Sequence, residues 1–419
     1  MKYIPRIAEK ELDELLDTFG AVLIEGPKWC GKTTTTETRA KSHLLLTDPT
    51  RDFEARMRAE TDPALAISGE TPRLIDEWQE VPKLWDAARF ECDRRGGRPG
   101  QFIFTGSATP RDDMRPMHSG AGRFARLRMD TMTLCELGVS SGDMSLSGIL
   151  SGTTYRGLMG HLDSASIADR IVRGGWPAAI DMSTHAASLM AKGYIEAVAE
   201  EDLSKVDATR RNPEKVKAVI ASLGRNESTR ASIKTLVADM GDSVTRQTAS
   251  AYISLLERLS FVCNIPAWSP AMRSPVALRE ASKHHLADPS LAAAAIGATT
   301  ESLLEDFKTL GLLFESLALH DLIVYARANG MQVYHYHDAS DLEADAVIAS
   351  PGGAWIPVEI KLGSAQLPEA EKSLLAVEKR MVSAGNRPPR AKLAIIGFGA
   401  PTYVTETGIQ VAPIDVIGP

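Results

Sequence analysis

The stretch GPKWCGKTT, at residues 26–34, has the residue types and the spacing of a loop that holds nucleotide phosphate. Gly26, Gly31, Lys32 and Thr33 satisfy the pattern G-x-x-x-x-G-K-[ST]. In such a loop the glycines let backbone N–H groups turn toward phosphate oxygens, aided by the positive end of the following helix. Lys32 would reach the β- and γ-phosphates and Thr33 would bind Mg²⁺, so we predict ATP and Mg²⁺ as cofactors.

The sequence on either side of the loop supports the same interpretation. The loop lies between the strand-like run AVLIE, residues 21–25, and a helical pattern that begins near Gly31, which is the context that the motif requires. A chance match in a glycine-containing turn is the alternative. We expect phosphate contacts along the whole loop, from Gly26, Pro27, Lys28, Trp29, Cys30, Gly31, Lys32, Thr33 and Thr34.

Hydrolysis needs acidic side chains in addition to a loop that binds nucleotide, and two adjacent carboxylates could supply them. Asp76 and Glu77 follow a short apolar run in PRLIDEWQEVP. In this arrangement Asp76 would hold the metal ion through water, and Glu77 would polarise the attacking water. An ordinary charged strand end is the alternative. The position of the pair, one further βα unit downstream of the loop, favours the catalytic interpretation.

The next strand-like run, FIFTGS, ends in two hydroxyl side chains. Thr105 and Ser107 would lie between the phosphate loop and the acidic pair, where they could sense the γ-phosphate. We include Ser107 among the predicted nucleotide-binding residues. The alternative is that both hydroxyls only cap the following helix.

Charge that develops on the γ-phosphoryl group needs a cation in addition to Lys32. The segment HSGAGRFARLRM offers Arg123, Arg126 and Arg128, of which Arg123 is our first choice and Arg126 our second. Solvated arginines around a strand are the alternative for each. If the arginine acts in trans, the active form is a homo-oligomer.

Composition limits the remaining possibilities. A chain of 419 residues suggests two to four domains. The net charge of −7 restricts any DNA contact to a local basic patch on an acidic body. The four cysteines stand singly without zinc-ligand spacing. The start lacks an apolar signal core and no long apolar run follows, so we expect a cytoplasmic protein without a membrane partner.

The order of apolar patterns predicts the organisation of the chain. Residues 1–150 alternate short apolar runs with helical segments, which indicates a parallel sheet flanked by helices. From about residue 155 to 310 the spacing is helical almost throughout. A long helical pattern and strand-like runs then indicate a second α/β unit over roughly 285–419. The expected fold class is therefore α/β.

Several motifs in this order resemble those of bacterial and archaeal AAA-type P-loop ATPases that carry a C-terminal domain of unknown function. They are GPKWCGKTTT, LIDEWQEVPKLWDAAR, FIFTGSATP, HSGAGRFARLRMDTMTLCELG and RGGWPAAI. The resemblance spans nearly the whole chain. It implies an ATPase domain at 1–150, a helical lid at 151–210, a winged-helix-like segment at 211–284, and a domain like the PD-(D/E)xK nucleases at 285–419.

The middle region contains a helix-turn-helix spacing. RASIKTLVADMGDSVTRQTASAYISLLERLSFV indicates a short helix, a turn around Gly241 and a second helix. Basic residues outnumber acidic ones from Arg210 to Arg258, and Arg246 and Gln247 could contact a DNA groove. The alternative is a packing module that touches only protein, which the small basic excess slightly favours.

The C-terminal stretch EADAVIASPGGAWIPVEIK carries a second candidate site. Strand side chains alternate, so Glu359 and Lys361 share one face, and a hairpin would bring Asp345 beside them. With Glu315 from the preceding helix, they match the acidic and lysine positions of the PD-(D/E)xK pattern that the resemblance implies. Glu315, Asp345 and Glu359 would bind Mg²⁺, and Lys361 would orient the attacking water.

Two functions remain open from the sequence. One is a Mg²⁺-dependent ATPase, which converts ATP to ADP and phosphate and is coupled to DNA processing by the C-terminal domain. The other is an ATP-dependent switch or regulator whose C-terminal domain is catalytically silent and binds a partner. E-x-K on a strand is frequent by chance, and a nuclease-like fold can persist as a binding platform. The catalytic residues predicted for the first function are Lys32, Glu77, Arg123, Asp345, Glu359 and Lys361.

Overall fold

The computed structural model describes residues 3–51, 53–107, 116–207, 211–270 and 282–419. Arg210, the first residue of the basic stretch considered for DNA contact, lies outside the described residues. The chain divides into two compact units. The first unit comprises Met1–Thr131, Ala197–Pro213 and Ile253–Phe261, and the second comprises Met132–Glu196, Glu214–Tyr252 and Val262–Pro419. These boundaries differ from those of the four predicted domains, which stay a prediction.

The first unit is built on a five-stranded sheet in which every neighbouring pair is parallel. Its strands are β1 (Ala21–Glu25), β2 (Ser42–Leu45), β3 (Arg73–Asp76), β4 (Phe102–Gly106) and β5 (Phe124–Arg128). Their order in the sheet is β2-β3-β4-β1-β5. The early helices are α1 (Ala8–Thr18), α2 (Lys32–Glu37), α3 (Glu54–Thr61), α4 (Pro63–Ala66) and α5 (Lys83–Arg94). The predicted P-loop NTPase sheet is confirmed.

Both faces of the central strands β1 and β4 are buried, which explains why these two strands are mostly apolar. On one face Leu23 and Phe104 pack in a cluster with Trp85 of α5. On the other face Ile24 packs in a cluster with Leu16 of α1. Burial on both faces is typical of parallel strands covered by crossover helices, and it holds the carboxyl ends of the strands in fixed positions.

Helices predominate from residue 146 to residue 305, as the sequence predicts. They are α6 (Leu146–Ser151), α7 (Ser164–Arg173), α8 (Thr184–Ala197), α9 (Leu203–Val206), α10 (Pro213–Arg225), α11 (Ile233–Asp239), α12 (Arg246–Arg258), α13 (Pro289–Ile296) and α14 (Thr300–Glu305). A π-helical segment, Val198–Asp202, joins α8 to α9. A short turn at Gly241–Ser243 separates α11 from α12, so the helix-turn-helix spacing is present, and Arg246 and Gln247 are exposed. The winged-helix-like assignment stays a prediction.

The second unit contains a six-stranded mixed sheet near the C-terminus. Its strands are β9 (Gln332–His337), β10 (Glu343–Ala349), β11 (Trp355–Gly363), β12 (Lys392–Phe398), β13 (Tyr403–Val404) and β14 (Ile409–Pro413), in the order β13-β14-β12-β11-β10-β9. The predicted hairpin is present, since β10 and β11 are antiparallel and Ala346 faces Val358. Two smaller pairs join β6 (Met144–Ser145) to β15 (Ile417–Gly418) and β7 (Val262–Ile265) to β8 (Lys283–Leu286).

Two long helices pack on β11 of this sheet, α15 (Phe307–Ala328) and α16 (Leu367–Ser383). By length and composition alone, α15 is long and apolar enough to cross a membrane. Most of it is buried inside the fold, as is normal for the core helix of a packed domain. Its burial explains its apolar composition, and it places Glu315 inside the second unit.

Candidate functional site

The phosphate loop leaves β1 and enters α2, as the motif requires. Gly31 adopts a left-handed conformation (φ 102°) immediately before α2, which favours glycine. The Lys32 ammonium is buried and donates to the carbonyl oxygens of Gly26 at 2.9 Å and Pro27 at 2.7 Å. Lys32 is therefore fixed over the loop itself, where an arriving phosphate would compete with these carbonyls for its charge.

Gly26 is required by a close approach of two segments. A Cβ atom at this position would lie 2.0 Å from the Met129 carbonyl oxygen. Arg6 also fixes the loop, because its buried guanidinium donates to the Cys30 carbonyl at 2.6 Å and to the Asp130 carbonyl at 2.9 Å. No motif in the sequence pointed to Arg6. Its contacts come from segments that only the fold brings together.

The loop and the acidic strand end meet at one edge of the sheet. Thr33 Oγ1 donates to Asp76 Oδ1 at 2.9 Å, and the Thr105 hydroxyl donates to the same carboxylate oxygen. Hydroxyl and carboxylate oxygens are the ligands that Mg²⁺ prefers. The residues present therefore fit a magnesium ion beside Thr33 and Asp76, and the binding of Mg²⁺ there stays a prediction.

Glu77 stands directly after this strand with its backbone in the left-handed region (φ 55°). Such a conformation is uncommon for a residue with a side chain and often occurs at functional sites. Its carboxylate accepts hydrogen bonds from the Gln79 amide and, at 3.4 Å, from Ser107 Oγ. Glu77 and Ser107 are thus brought together, while Asp76 is engaged with Thr33 and Thr105 instead.

The structure does not bring Arg123 to the phosphate loop. Arg123 precedes β5, at the amino end of the sheet, and its guanidinium pairs with Asp93 at 2.6 Å. The five residues of β5 separate it from the loop end of the sheet by about 17 Å, at about 3.3 Å per residue. Arg126, the second choice, pairs with Glu25 at 2.7 Å.

Arg128 is the arginine at the loop end of the sheet. It lies opposite Glu25, the last residue before the loop, and its guanidinium bonds Asp130 at 2.9 Å. The sequence alone could not rank these three arginines, because the ranking depends on which end of β5 faces the loop.

Lys28 contributes a contact that the sequence did not indicate. Its ammonium pairs at 2.6 Å with Asp202, a buried residue at the end of the π-helical segment. Isolated π-helical turns are frequent at functional sites. Trp29, the next loop residue, is exposed with a φ of 63°, whereas Cys30 is buried. In the sequence Asp202 was one of several acids in a helical run, so nothing distinguished it.

The C-terminal candidate residues also lie close together, but they are joined by ion pairs. Lys361 Nζ lies 2.7 Å from Glu359 Oε2 and 3.2 Å from Asp345 Oδ2. The other Glu359 oxygen accepts from Ser373 Oγ at 2.7 Å. Asp345 Oδ2 also accepts from the Ile360 backbone N–H at 2.7 Å. Both oxygens of Glu359 are therefore occupied by protein donors.

Glu315 is paired with a lysine that no sequence motif indicated. Lys283 of β8 is buried, and its ammonium lies 2.6 Å from Glu315 Oε1. Burial opposes the charge on this ammonium, but the nearby carboxylates of Glu315 and Asp345 outweigh burial and raise the pKa of Lys283. Burial raises the pKa of Glu315 to about 7, and Lys283 opposes the rise.

The predicted C-terminal metal-ligand set is not assembled. Among the residues that the structure describes, no group of three or more histidine, cysteine, aspartate or glutamate side chains could hold a metal ion. Glu315, Asp345 and Glu359 are instead bound to the ammonium groups of Lys283 and Lys361. Protein cations therefore compensate these carboxylates in the structure, and Mg²⁺ binding by Glu315, Asp345 and Glu359 stays a prediction.

These side chains border a cleft of about 620 Å³ in the second unit. Glu315, Asp345, Lys283 and Lys361 are among the residues that line it. The loop between α10 and α11 contributes another part, including Arg230, whose guanidinium lies 3.4 Å from the Glu343 carboxylate. A cleft with both signs of charge is suited to a polar partner rather than to an apolar ligand.

Comparisons with known proteins agree with the geometry of the first unit. Residues 18–138 match the model of the AAA domain family, residues 164–302 match a domain of unknown function (DUF8612), and residues 310–417 match another (DUF4143). The first of these regions is therefore an AAA-type P-loop domain with an ATP-binding site. The C-terminal match carries no indication of a nuclease.

The chain is similar over most of its length to two mycobacterial proteins. The uncharacterized proteins Mb2031c of Mycobacterium bovis and Rv2008c of Mycobacterium tuberculosis are each 25 % identical over 416 residues, covering 98 % of this chain and 84 % of theirs. The similarity therefore extends over both units, including the C-terminal sheet.

Two solved structures show a more distant likeness. The Walker-type ATPase PABY2304 of Pyrococcus abyssi matches with a TM-score of 0.41 and 14 % identity, over 69 % of this chain and 94 % of that one. The RuvB Holliday junction branch migration motor of Thermotoga maritima matches with a TM-score of 0.29 and 21 % identity, over 63 % and 90 %. Scores this low do not establish a shared overall structure.

The close approach at Gly26 can be tested by adding one methyl group. We expect Gly26→Ala to push the phosphate loop away from Met129 and to weaken ADP binding at least about tenfold, or about 1.4 kcal/mol. Gly193→Ala is the matched control, because a Cβ atom there meets nothing within 4 Å. Titration with a fluorescent ADP analogue measures both dissociation constants. Equal constants would show that the loop tolerates the methyl group.

The buried carboxyl of Glu359 should make stability depend on pH. Burial raises its pKa to about 8, the charge of Asp345 adds to the rise, and Lys361 opposes it. A carboxyl with a higher pKa in the folded than in the unfolded state stabilises the fold at low pH. This stability is lost as pH rises from the unfolded pKa, about 4.5, through the folded pKa.

We therefore expect the melting temperature of the wild type to fall more steeply than that of Glu359→Gln from about pH 5 to about pH 9. Glu369→Gln, which removes an exposed carboxylate from α16, should behave as the wild type. Melting curves followed by circular dichroism across this range provide the measurement. Parallel slopes for Glu359→Gln and the wild type would refute the prediction.

Proposed function

We propose that the protein is a Mg²⁺-dependent ATPase that converts ATP to ADP and phosphate. The observation that carries this proposal is the 2.9 Å hydrogen bond between Thr33 and Asp76. It joins the phosphate loop to the acidic strand end, so that two oxygen ligands for a metal ion lie beside the position of the β- and γ-phosphates. Mg²⁺ bound there would supply charge for the phosphoryl oxygens.

The side chains around this point have complementary roles in the proposal. Lys32 exchanges its loop carbonyls for phosphate oxygens when nucleotide binds. Glu77 accepts a hydrogen bond from the attacking water and orients it, while Gln79 and Ser107 hold the Glu77 carboxylate in place. Arg123 lies too far from the loop of its own chain, so a role for it in hydrolysis requires a second copy of the chain.

Two substitutions separate nucleotide binding from hydrolysis. We expect Lys32→Ala to lose nucleotide binding, because it removes the buried ammonium of the loop. Glu77→Gln should bind ATP normally but lower turnover by about 10²–10⁴, the usual contribution of a general base. Glu80→Gln is the control, since Glu80 lies in the same turn and pairs with Arg56.

The measurements are phosphate release and binding of labelled ATP. Loss of binding in Glu77→Gln would assign Glu77 a structural role, and full turnover in this variant would exclude it as the catalytic base. A Glu80→Gln variant as slow as Glu77→Gln would show that the turn, rather than the carboxylate, is required.

For the output of the ATP cycle, we propose a switch whose C-terminal domain binds a partner without cleaving it. The ion pairs of Lys361 with Asp345 and Glu359 support this choice over a nuclease. The mixed charge of the 620 Å³ cleft suits a polar partner. The exposed Arg246 and Gln247 keep DNA among the proposed partners, with contact through α12 rather than through the cleft.

A cleavage assay tests whether the C-terminal domain is catalytically silent. We expect the purified chain to leave labelled DNA and RNA intact in the presence of Mg²⁺ or Mn²⁺, with or without ATP. Asp345→Ala and Lys361→Ala are the comparison variants. Cleavage by the wild type that disappears in both variants would overturn the proposal and restore the nuclease. Cleavage that persists in both would come from another source.

A further inference from the structure

The C-terminal cluster contains the ammonium group of a lysine at the place where a metal-dependent nuclease would bind its metal ion. Glu315 of α15 and Asp345 of β10 approach from different elements, and Lys283 of β8 reaches into the same place. Its ammonium lies 2.6 Å from Glu315 Oε1. Its charge also interacts with Asp345 and Glu343. Lys283 is therefore the counter-ion of the carboxylates that the nuclease pattern would assign to Mg²⁺.

The charges of the cluster are close to balance without any added ion. The carboxyl groups of Glu315, Asp345 and Glu359 face the two ammonium groups of Lys283 and Lys361. Burial raises the pKa of Glu315 and of Glu359, which lowers the negative charge that these lysines must balance. Lys283 and Glu359 are both less than one-tenth exposed, so their charges need partners inside the protein. A divalent cation in addition to these lysines would place a positive excess in a buried site.

We propose that Lys283 is a built-in replacement for a divalent cation, so that the cluster excludes Mg²⁺ and Mn²⁺ until this lysine is removed. The proposal deepens the catalytically silent domain of the proposed function, on which it rests. It gives that domain a latent metal site, formed by the carboxylates of Glu315 and Asp345. Removal of the ammonium leaves Glu315 without its paired cation and Asp345 with Lys361 alone, and it opens space at the cleft.

The test compares two substitutions of Lys283 in the full chain. Lys283→Met keeps an unbranched side chain only one atom shorter and removes its charge, whereas Lys283→Arg keeps the charge. All proteins carry Asp76→Asn and are measured without nucleotide, so that the ATP site does not contribute metal binding. Binding is measured as the loss of the free Mn²⁺ signal in electron paramagnetic resonance. Circular dichroism checks that each variant is folded.

We expect Lys283→Met to bind about one equivalent of Mn²⁺ and to gain a few degrees in melting temperature when Mn²⁺ is in excess. The parent protein and Lys283→Arg should do neither. Adding Glu315→Gln to Lys283→Met should weaken the binding at least about tenfold, because it removes one anionic ligand. If Lys283→Met does not fold, Lys283→Gln takes its place.

Two results would overturn the inference. One is Mn²⁺ binding by the parent protein that Glu315→Gln abolishes, which would mean that the native cluster is already a metal site. The other is a folded Lys283→Met protein that binds no Mn²⁺. Neither result depends on ATP turnover, so failure of this inference and failure of the ATPase proposal are distinguishable.

Discussion

Parallel pairing of β3, β4 and β1 is the constraint on which the nucleotide site depends. In a parallel sheet the carboxyl ends of neighbouring strands meet at one edge. Because β4 lies between β1 and β3, the loop after β1, Thr105 at the end of β4 and Asp76 at the end of β3 converge there. Burial of both sheet faces keeps this register, so the Thr33–Asp76 hydrogen bond follows from the packing of strands rather than from the motif alone.

The second unit shows how a buried cluster of carboxylates can be compensated by cations of the protein itself. A carboxylate in a low-dielectric site needs a cation, but the requirement does not specify which cation. Lys283 and Lys361 satisfy it from β8 and β11, at distances between 2.6 and 3.2 Å. The carboxylates that suggest a nuclease are thus the carboxylates that these two lysines neutralise. Their arrangement remains suited to recognition of a polar partner at the neighbouring cleft.

Much of the fold was predictable from the sequence, because it is encoded by local patterns. The strand before GPKWCGKTT, the helix after it, the carboxylates after RLI and the hairpin around PGG all appear where the apolar periodicity places them. The arginine assignment illustrates the limit of such reasoning. Arg123 and Arg128 are five residues apart in one strand-like segment, and only the direction of β5 in the sheet decides which of them is near the loop.

By itself, the sequence determined the phosphate loop, the acidic pair and the α/β class, since the spacing of glycine, lysine and carboxylates acts within a few residues. The tertiary structure decided which distant side chains complete each site. Arg6 anchors the loop from a segment before α1, Asp202 meets Lys28 from the π-helical turn, and Lys283 meets Glu315 from another strand. The physical reason is the same for all three contacts. A buried charge needs a partner that is close in space, and neither residue spacing nor a sequence motif shows where in the chain that partner lies.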